Sequence, residues 1–233
     1  MEQTMQPAIL SIKNLTKKYG GVTATDNIEL NIFKKEVTAI IGPNGAGKTT
    51  LVGQLTGEIK PDSGSIYFNG EKITNLAPHK RTHLGISRSF QITSIFLDLT
   101  VLENATLAIQ AHSGHSFSFI KPANQDLPMV NNAMRLLDRV GLKDRADFPA
   151  NKISHGEHRQ LEIAMALASK PSLLILDEPM AGMGPDETKK ITKFLNSIKG
   201  TMAIILVEHD MDTVFALADK LTVLVSGKIV ATG

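Results

Sequence analysis

Three short runs in the chain are apolar at nearly every position: Val37 to Ile41 ahead of Gly42, Leu173 to Leu176 ahead of Asp177, and Ala203 to Val207 ahead of Glu208-His209. Runs this short and this uniformly apolar fit strands covered on both faces, as in a parallel sheet. Helical patterns alternate with them. Ile191, Phe194, Leu195 and Ile198 recur at the 3.6-residue period among Lys189, Lys190 and Lys193, so one face turns inward and the other to water. Strand and helix in alternation predict an α/β core. Ile9 to Ile12, Ile28 to Ile32 and Ser65 to Phe68 instead alternate beside turn residues, and Leu221 to Val225 and Lys228 to Thr232 flank Ser226-Gly227 as a hairpin. These predict a smaller antiparallel sheet.

The stretch from about Ser87 to Met165 has a different pattern. Thr100-x-x-Glu103 and Ser154-x-x-Glu157 are capping-box starts, and Val130, Met134 and Leu137 followed by Gly141 describe a helix with its stop. Between these, His112 to Asp126 is polar, Ser-rich and broken by Gly114 and Pro122, which predicts a loop. The chain therefore divides into a core of residues 1–86 and 166–233 and an inserted helical subdomain of 87–165, within one domain spanning 1–233.

Composition narrows the class. With 25 basic against 23 acidic residues the net charge is only +2, too small for a field that would gather nucleic acid or an anionic membrane. Lys17-Lys18, Lys34-Lys35 and Lys80-Arg81 read as solvated face residues. Cysteine is absent, which removes disulfides, thiol catalysis and thiolate metal sites and fits a reducing compartment. Met1 to Leu10 has no basic-then-apolar run of the secretory type, and charged or polar residues interrupt every candidate membrane span.

Gly42-Pro43-Asn44-Gly45-Ala46-Gly47-Lys48-Thr49-Thr50 stands between an apolar strand and the helical pattern Thr49 to Leu55. A glycine-rich loop lets consecutive backbone N–H groups converge on phosphate oxygens at a helix N-terminus; Lys48 adds charge, and the Thr49 hydroxyl can ligate Mg²⁺. Asp177-Glu178 closes a buried strand, the end at which α/β sheets present ligands. Asp177 can hold the magnesium and Glu178 can polarise an attacking water. His209 ends the third apolar run at the same edge, and Gln91 in Ser89-Phe90-Gln91 could reach Mg²⁺ or water from the border of the insertion.

Tyr19, Gly42 to Thr50, Gln91, Ile153-Ser154-His155-Gly156-Glu157, Asp177-Glu178 and His209 follow one another in an order that resembles the nucleotide-binding domains of ABC transporters over nearly the whole chain. The resemblance implies a P-loop NTPase of the ABC type, with an antiparallel β subdomain and an inserted helical subdomain, that hydrolyses ATP with Mg²⁺. It implies that Tyr19 stacks on adenine, that Gln91 is the Q-loop glutamine, that Ser154 and Gly156 belong to the signature loop, that Glu178 is the general base and that His209 is the switch histidine. His155 and Glu157 depart from the usual LSGGQ, Gly184 replaces the D-loop aspartate, and Lys35 stands where relatives often carry Gly. Tyr19-Gly20-Gly21, Leu99 to Asn104, Glu162-Ile163-Ala164, Ala181-Gly182-Met183 and Val207 to Met211 look most like subunits of branched-chain amino-acid and urea importers. That likeness implies membrane permease partners, a second ATP-binding subunit identical or paralogous, a solute-binding protein acting indirectly, no nucleic acid, and a place at the cytoplasmic face of the cell membrane. The alternative is a soluble ABC-type ATPase of DNA maintenance or translation.

Overall fold

The computed structural model describes residues 7–89, 95–112 and 127–233. They form two compact units, one of Met1–Ile86, Ser172–Glu178 and Ile198–Gly233, the other of Ser87–Pro171 and Pro179–Ser197.

In the first unit, β1 (Leu10–Tyr19) and β2 (Val22–Ile32) run antiparallel, with Tyr19 opposite Val22 across the Gly20-Gly21 turn. With β4 (Ser63–Phe68) and β5 (Glu71–Lys72) they make a four-stranded sheet in the order β2-β1-β4-β5. Leu10, Ile12, Ile28, Ile32, Ile66 and Phe68 are buried, as the alternation predicts. The three apolar runs are β3 (Val37–Ile41), β7 (Leu173–Asp177) and β8 (Ala203–Val207), and they lie side by side and parallel as β3-β8-β7. Every residue of β7 and β8 is buried.

The hairpin of β9 (Lys220–Val225) and β10 (Lys228–Thr232) departs from expectation. It joins the larger sheet, ordered β10-β9-β3-β8-β7-β6 with β6 (Ile86–Arg88) at its edge, and β9 pairs in parallel with β3. An alternating pattern reports that one face is covered, not which strand lies alongside, so it could not assign the hairpin to a sheet. A second departure is α2 (Pro78–His83), where Arg81 is 1% exposed and not a solvated face residue. Its guanidinium donates to the carbonyls of Gln54, Leu55, Thr74 and Leu76.

The second unit holds α3 (Val101–His112), α4 (Leu127–Val140), α5 (His155–Leu167) and most of α6 (Pro185–Ile198). The box at Thr100 forms: Thr100 N–H donates to Glu103 Oε2 at 2.8 Å, and Glu103 N–H to Thr100 Oγ at 3.1 Å. In α4 the buried stripe is Met129, Ala133, Leu136, Leu137 and Val140. Val130 and Met134 are only half-buried, so the predicted stripe was about one position out of phase. Small Ala133 lies at its centre, and a reading weighted to large apolar side chains passes over it. No described helix is long and apolar enough to cross a membrane.

Candidate functional site

The loop ahead of α1 (Lys48–Thr56) is shaped by what surrounds it. Gly47 has φ 104°, and a Cβ there would collide with the Ala24 carbonyl of β2. Only glycine fits both the left-handed backbone and that close approach. Lys48 is 8% exposed and turns back over the loop, its Nζ donating to Gly42 O at 2.7 Å and Pro43 O at 3.1 Å. Pro43, Asn44 and Gly45 are exposed, Ala46 is buried, and Thr49 and Thr50 open the helix exposed and half-buried. The result is a cationic cup at a helix N-terminus with hydroxyls on its rim.

Asp177, 2% exposed, ends β7, and Glu178 follows it half-buried. Glu178 has φ 49°, a left-handed conformation that costs a non-glycine residue about 1–2 kcal/mol. Its N–H is tied to Val207 O at 2.8 Å, so the end of β8 fixes the bend. Strain retained on one acid at a strand end suits a group whose direction matters. The next residue after Val207, Glu208, is 1% exposed and accepts the His209 N–H at 3.1 Å. The His209 ring itself is exposed, with Nδ1 3.8 Å from Glu208 Oε2. Asp210 then caps α7 (Met211–Leu217) by accepting from Asp212 N–H and Thr213 Oγ1–H. The Thr213 hydroxyl bond outweighs burial and holds the Asp210 carboxyl below its usual range.

Tyr19 ends β1 half-exposed, with Lys17 Nζ 5.4 Å from its ring centroid. Lys17 is also paired with Asp62 at 2.8 Å. Gln91 lies outside the described residues, as does the predicted loop beyond His112.

In the second unit, Ser154 caps α5 with the predicted box complete: Glu157 N–H donates to Ser154 Oγ at 3.2 Å and Ser154 N–H to Glu157 Oε2 at 2.7 Å. Arg145 Nε adds 2.8 Å to Glu157 Oε1. Gly156 is buried while Ser154 and His155 are exposed.

A model of the family described as ABC transporter matches residues 25–181. The high-affinity branched-chain amino acid transport ATP-binding protein LivG of Escherichia coli (strain K12) is 33% identical over 98% of this chain and 92% of its own. The chain belongs to the ABC transporter family. Among solved structures, the ADP conformation of MJ1267, an ATP-binding cassette of an ABC transporter, matches with a TM-score of 0.85 at 34% identity, over 97% of this chain and 91% of that one. A dimeric post-hydrolysis state of the cassette MJ0796 bound to ADP and Pi matches at 0.81 and 26%, over 96% and 97%. The protein is thus an ATP-binding and ATP-hydrolysing ABC cassette, the ATP-binding subunit of a transporter. The reading as a soluble ATPase of DNA maintenance or translation finds no support among these relatives.

Two residues of the cassette were missed at the level of sequence. Arg81 was lost in a basic pair. Glu187, in the first turn of α6, contacts Ser154 across 33 positions of sequence, and only its place three residues after Gly184 hinted at a capping role.

The capping box also gives this ABC cassette a pH dependence. Burial opposes ionisation of Glu157, but the Ser154 N–H and Arg145 outweigh it and hold the carboxyl below its usual value. A lowered folded pKa contributes stability above the unfolded value of about 4.3 that is lost as pH falls through the folded one. Glu157→Gln should therefore lower the urea midpoint at pH 6 and converge on the parent toward pH 3. Parallel midpoint curves across that range would contradict it.

Proposed function

We propose that the cassette powers a membrane importer of branched-chain amino acids, or of a related small nitrogenous solute such as urea, and that it works as a pair. The supporting observation is the loop Gly42 to Thr50, with Lys48 already turned over it, in the same unit as the strand-end acids Asp177 and Glu178. The main-chain N–H groups of Asn44, Gly45, Ala46 and Gly47 bind the phosphates, Gly42 and Pro43 shape the loop and hold Lys48 through their carbonyls, and Lys48 adds its charge. Tyr19 stacks on adenine, with Lys17 ordering the ring from one side.

Magnesium fits the oxygen donors present, because the Thr49 hydroxyl, the Asp177 carboxylate and the Gln91 amide are the hard ligands it prefers. When bound it neutralises phosphate charge. Glu178 accepts a proton from the attacking water, and the tie to Val207 keeps it aimed. His209, carried on the Glu208 and Asp210 bonds, presents its ring to the γ-phosphate side.

Ser154 and Gly156 complete the nucleotide site of the other subunit, identical or paralogous. The relative MJ0796 forms a dimer with ADP and Pi, which supports this arrangement. Phe96 and Leu97, 58% and 47% exposed, are offered as part of the surface that meets a permease. We read the single domain of 1–233 as a core of residues 1–86 and 166–233 around a helical subdomain of 87–165, although the second compact unit extends to Pro171 and also takes up Pro179–Ser197. A solute-binding protein acts through the permease, no nucleic acid takes part, and the cassette sits at the cytoplasmic face of the cell membrane.

The pair makes a kinetic prediction. Turnover per chain should rise with protein concentration until dimers saturate, and mixing Lys48→Ala with Ser154→Ala chains should restore part of the activity that each lacks alone, because the mixed pair keeps one site with both halves intact. Turnover that does not vary with concentration would rule out a shared site. ATP-dependent uptake of labelled leucine or urea into vesicles carrying the co-purifying membrane protein tests the solute class; uptake of neither would overturn it.

A further inference from the structure

One carboxylate in the helical unit serves two helix N-termini. Glu187 stands at the third position of α6, whose first turn begins from Gly184. Its Oε2 accepts the Gly184 N–H at 3.1 Å, and its Oε1 accepts the Ser154 hydroxyl at 3.3 Å. The same carboxylate lies over Gly156, where a Cβ would fall 2.5 Å from either oxygen. His155 leans on the other side of the connection, its Nε2 3.0 Å from where a Cβ of Gly182 would stand.

The hydroxyl inventory gives this contact its meaning. A serine has one proton to donate. The Ser154 oxygen already receives the Glu157 N–H at 3.2 Å, and its proton goes to Glu187. A phosphate at this helix end needs that proton and the Cβ-free side of Gly156, and Glu187 covers both. Two anions cannot share the position, because the dipole of α5 and the single hydroxyl satisfy only one of them. The long 3.3 Å bond and the exposure of Ser154 make the hold weak enough to release.

We propose that Glu187 is a resident anion at the Ser154-Gly156 helix end, a positioning residue that occupies the phosphate seat in the separate subunit and must swing aside before two cassettes close on ATP. This rests on the shared-site reading above. Glu187 stays attached to Gly184 as it moves, so displacement gives up the Ser154 contact alone and leaves α6 capped. Release of phosphate after hydrolysis lets the carboxylate return, which favours opening.

The test uses the full chain carrying Glu178→Gln, so that bound ATP survives, and follows dimerisation by sedimentation velocity as ATP is raised. Adding Glu187→Gln should lower the ATP concentration at half-dimerisation by about threefold or more, with the ATP affinity of the dilute monomer unchanged. A purely structural role would move the melting temperature and not this midpoint. Glu187→Thr, too short to reach Ser154, should give the same shift. An unchanged or raised midpoint in either folded variant overturns the proposal. Ser154→Ala in the same background separates the two ideas. If it raises the midpoint while the Glu187 variants stay flat, only the resident anion is wrong; if it changes nothing, the shared site is wrong.

Discussion

Glu178→Gln is expected to cut steady-state ATP turnover on the order of 10²-fold or more while ATP stays bound. The substitution alters almost nothing except the chemistry. Gln has the same length, the half-buried surroundings accept it, and the N–H bond to Val207 O at 2.8 Å is made by the backbone, so the φ 49° bend persists. The loop and the Lys48 contacts on Gly42 and Pro43 belong to other segments. What disappears is a group able to take the water's proton, and a hundredfold loss corresponds to about 2.7 kcal/mol of barrier. Filter-retained ATP should match or exceed the parent value, and phosphate release in a single turnover should slow by the same factor as the steady state. Turnover within about threefold of the parent, in a variant that melts normally, would remove Glu178 as the base and return the question to Asp177 or His209.

The features legible in the sequence were those whose cause is local. β3, β7 and β8 announced themselves because burial on both faces requires apolar residues throughout. Both capping boxes were readable because a helix start is satisfied within four residues. The glycine-rich loop was readable for the same reason, although the demand that Gly47 meet Ala24 comes from β2 and is visible only in space.

What escaped is determined over long distances. The β9 and β10 hairpin was seen, yet its place beside β3 depends on Thr38 to Ile41 pairing with residues more than 180 positions later. Glu187 is an acid in the first turn of α6, and its contact with Ser154 spans 33 positions that no local pattern links. The left-handed backbone of Glu178 carries no sequence signal at all, since it is imposed by Val207.

Arg81 is the plainest case of a long-range cause, and Arg81→Met is expected to cost about 3 kcal/mol or more of folding stability. The guanidinium is 1% exposed and donates at 2.7 Å to both Gln54 O and Leu55 O, at 2.9 Å to Thr74 O and at 3.0 Å to Leu76 O. Gln54 and Leu55 lie in the last turn of α1, where carbonyls have no partner within the helix and a cation complements the negative end of the dipole. Burial pushes the Arg81 pKa down to about 10, so the side chain still carries its charge at neutral pH. Methionine fills much the same volume but leaves buried carbonyls unsatisfied, each at about 1–3 kcal/mol. Against a total of about 5–15 kcal/mol for a domain, that is a large fraction. Arg81→Lys should rescue little, because a compact ammonium cannot span the fork that reaches four oxygens. Because α1 begins at Lys48, the damage should spread to the phosphate loop as weaker ATP binding. Urea unfolding of both variants decides the matter: a loss under about 1 kcal/mol in Arg81→Met would mean that water replaces the guanidinium and that the far end of α1 does not depend on it.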